Sequence, residues 1–165
     1  MNKYLSETTR KGITETEERV KKQLRALEIR YGQDVAICFI CEKYFDIQRG
    51  RYPSKCGHCD VKYDKKFMYC VPDIIINNPN VAKYGVIFCN GPIHEKNDAQ
   101  IKKDKYQVRK LKEFGFTVFV LKNEEVAKLT NFNLRSLLIG YYYVLMYPEL
   151  YDQLIAGEKE IPSLR

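Results

Sequence analysis

Tryptophan is absent from this 165-residue chain, so aromatic packing must rest on 13 tyrosines and 8 phenylalanines. No apolar run approaches the roughly 20 residues that a membrane-crossing helix needs. The nearest stretch, Leu137 to Tyr147, is short and ends at Pro148. A secretory leader is not evident, because Met1 is followed by polar and charged residues. Repeats and low-complexity tracts are lacking too, and the length suits one domain with a small insertion. Acidic residues are in the minority: 21 Asp and Glu face 28 Lys and Arg, for a net charge of +7. That balance favours a polyanionic partner such as nucleic acid, although an ordinary soluble basic protein has the same composition.

The six cysteines are not spaced like a disulfide framework. Four of them form two pairs, Cys38-Phe-Ile-Cys41 and Cys56-Gly-His-Cys59. Two Cys-x-x-Cys knuckles supply the four soft ligands of a tetrahedral Zn²⁺ site. The expected role of that zinc is structural, clamping a loop that cannot fold by itself. His58 lies inside a knuckle and is not expected to be a ligand; Gly57 is read as permitting a tight turn. Cys70 and Cys89 sit in apolar strand contexts and read as buried, inert thiols. The thiols and the absent leader together lead to an expectation of a reducing, intracellular setting: cytoplasmic or nucleoid-associated, or nuclear in a eukaryote.

Along the chain, Thr14-Glu-Thr-Glu17 reads as a capping box opening a helix. Val20, Leu24 and Leu27 form its apolar face, with Arg19, Lys21, Lys22 and Arg25 around the rest. Residues 35–71 form the cysteine module. Asp73 to Ile76 is a short apolar strand, Asn77-Asn-Pro-Asn80 is turn chemistry, and Tyr84 to Cys89 is the returning strand. Asp98 to Phe114 is helical, stopped by Gly115. Phe116 to Leu121 is a buried strand, Asn123-Glu-Glu125 caps a short helix, and Asn133 to Tyr147 is a final apolar helix. The order predicts a mixed α/β sandwich.

Phosphodiester hydrolysis needs a divalent ion on oxygen ligands, a positioned water and a proton source for the leaving oxygen. Asp73 follows Pro72 at a strand start, where its carboxylate would lie at a sheet edge; alternatively it closes a Pro-Asp turn. The partner strand ends at Asn90-Gly-Pro-Ile-His94, which brings a histidine able to act near neutral pH. Asp104 lies in the run Lys102-Lys-Asp-Lys105, a solvated helix face whose lysines can also pair with phosphates.

Pro72-Asp73-Ile-Ile-Ile76, Val86-Ile-Phe-Cys-Asn-Gly91, His94, Lys103-Asp104 and Lys112-Glu-Phe-Gly-Phe-Thr-Val118 together resemble the very-short-patch-repair endonucleases. Those belong to the PD-(D/E)XK, restriction-endonuclease-like superfamily. The similarity spans about residues 14–126. It implies a restriction-endonuclease-like mixed sheet flanked by helices, with residues 35–71 as a zinc-ribbon-like insertion in one domain of residues 1–165. It further implies a catalytic Mg²⁺ or Mn²⁺ on Asp73, the Cys89 carbonyl and Asn90. His94 would assist the attacking water or leaving group, with Asp104 and Glu17 as supporting acids. The family's common pattern has a carboxylate where Phe88 stands and a lysine where Asn90 stands, and the short-patch-repair branch has a histidine at that second position. Asn90 offers an oxygen but takes no proton, so Asp73 is the one firm anionic ligand.

Two function classes follow from these residues. The first is a metal-dependent DNA endonuclease that grips the backbone with Lys102, Lys103, Lys105 and Arg109 and with Arg49 and Arg51 of the cysteine module. The second is a catalytically inactive nuclease-like module that binds DNA or a protein. A third reading makes Tyr141-Tyr-Tyr143 part of an oligomer interface, with packing on the sheet as its plain alternative. The sequence leaves target structure and oligomeric state open.

Overall fold

The computed structural model describes residues 3–65, 67–78, 83–90 and 98–146. In chain order the elements are α1 (Lys3–Ala26), β1 (Tyr31–Gly32), β2 (Val35–Cys38), β3 (Tyr44–Asp46), β4 (Tyr69–Cys70), β5 (Ile74–Asn78) and β6 (Lys83–Asn90). They continue with α2 (Asp98–Glu113), β7 (Thr117–Lys122), α3 (Asn123–Ala127) and α4 (Asn131–Met146). Among the described residues no helix is long and apolar enough to cross a membrane.

The main sheet is mixed, in the order β1-β5-β6-β7. β5 and β6 form an antiparallel hairpin with Ile74 opposite Ile87 and Ile76 opposite Gly85. β7 returns parallel to β6 after the α2 crossover, as a strand–helix–strand unit requires. Side chains alternate between the two faces of the sheet. Ile74, Ile76, Ile87, Phe119 and Leu121 enter one core with Val20 and Leu24 of α1 and with Leu134, Leu138 and Leu145 of α4. Ile75, Val86 and Val118 enter a second core on the opposite face, with Leu111 of α2.

That second core also takes Val35 and Ile37 of β2 and Cys70 of β4. These strands belong to a smaller antiparallel sheet, β3-β2-β4, which carries the cysteine module. The insertion is therefore built into the domain's own core. Rings extend the seam: Phe39 lies edge-on to Tyr106 and to Phe114, and Tyr44 lies edge-on to Tyr84.

Several local expectations are corrected. Thr14–Glu17 is not a capping box, because α1 already runs from Lys3; no proline interrupts the strong helix formers upstream. Asn77 and Asn78 extend β5 opposite Tyr84 and Lys83 rather than turning, and residues 79–82 lie outside the described residues. Asn123 is the first helical residue of α3, not its cap; β7 runs directly into the helix, with Lys122 at the N-cap position and no side-chain cap. Thr130 caps α4 instead, its Oγ1 accepting from the Asn133 amide at 3.1 Å. Tyr141 stacks on Phe119 with centroids 3.9 Å apart, which gives that helix its place on the sheet.

Gly115 stops α2 as its position predicts. Its φ of 91° is left-handed, and the Phe116 amide reaches back to the Leu111 carbonyl at 2.9 Å, a Schellman closure.

Candidate metal centre and carboxylate site

The cysteine module holds its thiols in one cluster. The Sγ atoms of Cys38, Cys41, Cys56 and Cys59 all lie within 4.8 Å of one another. Cys38 and Cys59 are 3.9 Å apart and Cys41 and Cys56 are 3.7 Å apart. A tetrahedron with zinc–sulfur bonds of 2.3 Å has edges of about 3.8 Å, so the cluster has the size to hold a metal ion such as zinc.

The two knuckles are built alike. The Cys38 amide donates to the Lys43 carbonyl at 2.9 Å, and the Cys56 amide donates to the Val61 carbonyl at 2.9 Å. The residue after each second cysteine is left-handed: Glu42 at 65° and Asp60 at 60°. These hairpin-like turns aim amides at sulfur, with His58 and Cys59 donating to Cys56 Sγ at 3.2 and 3.3 Å. Burial raises the Cys56 thiol, but the Cys59 and His58 amides together with the Tyr63 and Cys59 side chains bring it down to about 6, which favours the thiolate that a metal requires. Burial pushes Cys41 up to about 12 against the Lys43 amide and beside three other thiols. A cluster of four sulfurs cannot ionise together without a cation in its centre.

Gly57 does not have a left-handed φ; its missing Cβ leaves room for the Phe45 ring, which a Cβ would meet at 2.9 Å. His58 stands outside the cluster. It lines a cleft of about 580 Å³ with Lys43, Tyr44, Tyr84 and Phe114. Tyr63, which has no local sequence signal, stands beside the cluster. Its hydroxyl is buried without a partner that satisfies hydrogen-bond geometry, close enough to Cys38 and Cys56 for their charges to raise it beyond the effect of burial.

The second site lies at the end of the β5–β6 hairpin. Asp73 precedes β5, and its Oδ2 accepts a hydrogen bond of 2.6 Å from the Cys89 amide near the end of β6. Helix α1, seated on the sheet by Val20 and Leu24, brings Glu17 into hydrogen bonding with Asp73. Burial first, then the neighbouring Asp73 carboxylate, pushes Glu17 up to about 7, against the pull of Lys21. Burial also raises Asp73, opposed by the Cys89 amide, Glu17 and Lys21. The interaction raises Glu17 and lowers Asp73, so of the two Glu17 is the one that holds a proton more readily.

Lys21, expected on the polar side of α1, is instead buried, at 5% exposure. Its Nζ lies 3.7 Å from Glu17 Oε2, and its charge is felt by Asp73 and Cys89. Its sequence signal was the i, i+4 spacing from Glu17 beside an apolar Val20. Arg19, placed on the same polar surface, instead donates to the Val126 and Leu129 carbonyls at 2.8 and 3.0 Å, tying α1 to α3.

Of the remaining predicted residues, Cys89 stands beside Asp73 through its amide. Cys89 is buried, and Phe88 packs against the second core. Asn90 ends β6 opposite Lys122. His94 lies outside the described residues. Asp104 and Lys103 on α2 act through space on the buried Cys70 thiol, as Asp73 does. Among the described residues no third carboxylate or thiol joins Glu17 and Asp73 in a close trio, the four cysteines being the single such group. Lys102, Lys105 and Arg109 are exposed on α2, and Lys103 is half-buried. Arg109 pairs at 4.0 Å with Glu113 and lies over the Tyr106 ring. Arg49 and Arg51 are exposed in the module's loop.

Compared with protein families, curated proteins and solved structures, the chain finds no match.

Proposed function

We propose that this chain is a divalent-cation-dependent DNA endonuclease of the PD-(D/E)XK kind, similar to the very-short-patch-repair enzymes, with a structural Zn²⁺ in the four-cysteine cluster. The observation that carries this reading is the half-buried pair of carboxylates, Glu17 and Asp73, at the open end of the β5–β6 hairpin. Two carboxylates held together and partly shielded from water repel each other unless a proton or a cation balances them. A bound Mg²⁺ or Mn²⁺ would supply that charge, neutralise phosphate and acidify water. Asp73 would be its principal ligand, held in orientation by the Cys89 amide. Glu17 would hold or release a proton near neutral pH. Basic residues of α2 and the module would engage the DNA backbone.

The closed four-sulfur cluster suits a structural ion, since catalytic zinc keeps a position open. The module's share of the second core supports the same reading.

A second reading, a binding module without catalysis, is favoured by Phe88. This side chain is committed to packing, so β6 offers no carboxylate there. A cleavage panel decides between the two. Duplex, mismatched, branched and single-stranded DNA are incubated with Mg²⁺, Mn²⁺ or chelator, using wild type and Asp73→Ala. The nuclease reading expects metal-dependent cuts that vanish in the variant. Salt-sensitive binding with no cuts on any substrate establishes the second reading.

A further inference from the structure

Lys21 is the charged group whose burial the proposed site does not yet explain. It projects from α1 between two packed residues, Val20 and Leu24, which are fully buried. The residue is buried, at 5% exposure, with Glu17 at 3.7 Å from its Nζ and Asp73 and Cys89 within electrostatic reach. Burying a lysine in a sheet–helix core costs several kcal/mol unless it is paired, and methionine would fill similar space without that cost. The cation is therefore informative about the site's charge.

The charge count is specific. Two ionised carboxylates and a divalent ion sum to zero. Lys21 adds one positive charge, leaving a site of net +1, complementary to the single negative charge of one phosphodiester. Without the ion, Lys21 is the counter-cation that lets one of the two carboxylates remain ionised. A resident ammonium so near the ligands also repels an incoming divalent ion, so it would weaken ion affinity while strengthening phosphate affinity.

We infer that Lys21 is the built-in counter-cation of the Glu17–Asp73 site, a positioning residue that sets its affinity for divalent ions and biases the loaded site toward a phosphodiester. This rests on the reading of that carboxylate pair as a divalent-cation site.

The experiment is a Mn²⁺ titration by electron paramagnetic resonance on zinc-loaded wild type, Lys21→Met and Lys21→Arg. Duplex DNA cleavage at saturating Mn²⁺ is measured on the same preparations. Lys21→Met is expected to bind Mn²⁺ about tenfold more tightly and to cleave about a hundredfold more slowly, while Lys21→Arg stays near wild type in affinity. If Lys21→Met does not fold, Lys21→Gln provides the same comparison. Unchanged or weaker Mn²⁺ affinity in the neutral variant overturns the inference, as does unchanged cleavage or a wild type that binds no Mn²⁺. Tighter Mn²⁺ binding by the variant with no cleavage by any preparation supports the counter-cation and overturns the nuclease reading. Cleavage that Asp73→Ala abolishes and Lys21→Met leaves intact does the reverse.

Discussion

The Asp73 carboxylate accepts a 2.6 Å hydrogen bond from the backbone amide of Cys89, so one arm of the hairpin fixes an acid against the tip of the other. The same carboxylate interacts with Glu17 and feels the charge of Lys21. Replacing Asp73 with asparagine keeps the acceptor and removes the charge. Asp73→Asn should fold with a thermal midpoint close to wild type yet lose at least a hundredfold in Mg²⁺-dependent cleavage. Calorimetry and a plasmid nicking assay check the two halves. A variant that cuts at the wild-type rate refutes the role given to this charge.

The carboxylate pair makes stability depend on pH. Glu17 is raised from 4.5 to about 7 in the folded chain, so the folded state retains a proton that the unfolded state has released. Its contribution to stability is complete below pH 4.5 and is lost as pH rises through about 7. Wild type should lose on the order of 2 kcal/mol relative to Glu17→Gln across that window, measured by urea unfolding at stepped pH. Saturating Mg²⁺ should flatten the difference, because the ion stabilises the ionised pair.

Metal removal should loosen more than the cysteine loop. The module's β2 and β4 place Val35, Ile37 and Cys70 in the same core as Val86 and Leu111. Stripping the metal, or substituting Cys56→Ser, should lower the melting temperature of the whole domain in one cooperative transition. Elemental analysis of the native protein should give one zinc per chain. A domain that melts unchanged without metal contradicts the shared core.

Tyr63 gives a finer test of the same centre. Its buried hydroxyl lies near Cys38 and Cys56 without hydrogen-bond geometry to either, and a thiolate formed on metal binding would draw that hydroxyl into a hydrogen bond. Tyr63→Phe should weaken metal affinity about tenfold, the usual cost of a lost outer hydrogen bond, measured by competition with a chromophoric chelator. Equal affinity excludes that bond.

Arg19 tests the seating of α1. Its guanidinium satisfies the Val126 and Leu129 carbonyls and Asn131 Oδ1. Arg19→Met should cost about 2 kcal/mol in urea unfolding, since two carbonyls at the end of α3 lose a charged donor. A smaller loss than about 0.5 kcal/mol would mean that solvent replaces it freely.

Hydrophobic pattern and turn chemistry made much of this architecture legible. Ile74–Ile76 and Val86–Ile87 announced a hairpin, Gly115 the stop of α2, and the cysteine spacing the sulfur cluster. What stayed hidden depends on long-range placement. Lys21 and Arg19 sit in a helix rich in charge, and nothing local distinguishes the buried Lys21 from its exposed neighbour Lys22. The tie between the module and α2 was hidden likewise, because Phe39, Tyr106 and Phe114 meet only once the chain has folded. Glu17 was found through resemblance, while the role that spacing suggested for it, a helix cap, is excluded by the length of α1.

Crystals soaked in Mn²⁺ and measured at its absorption edge test the central claim most directly. A peak within about 2.0–2.6 Å of an Asp73 carboxylate oxygen, with Glu17 bound directly or through water, is the predicted result. Fully occupied Mn²⁺ elsewhere in the crystal, with no density beside Asp73, would contradict it.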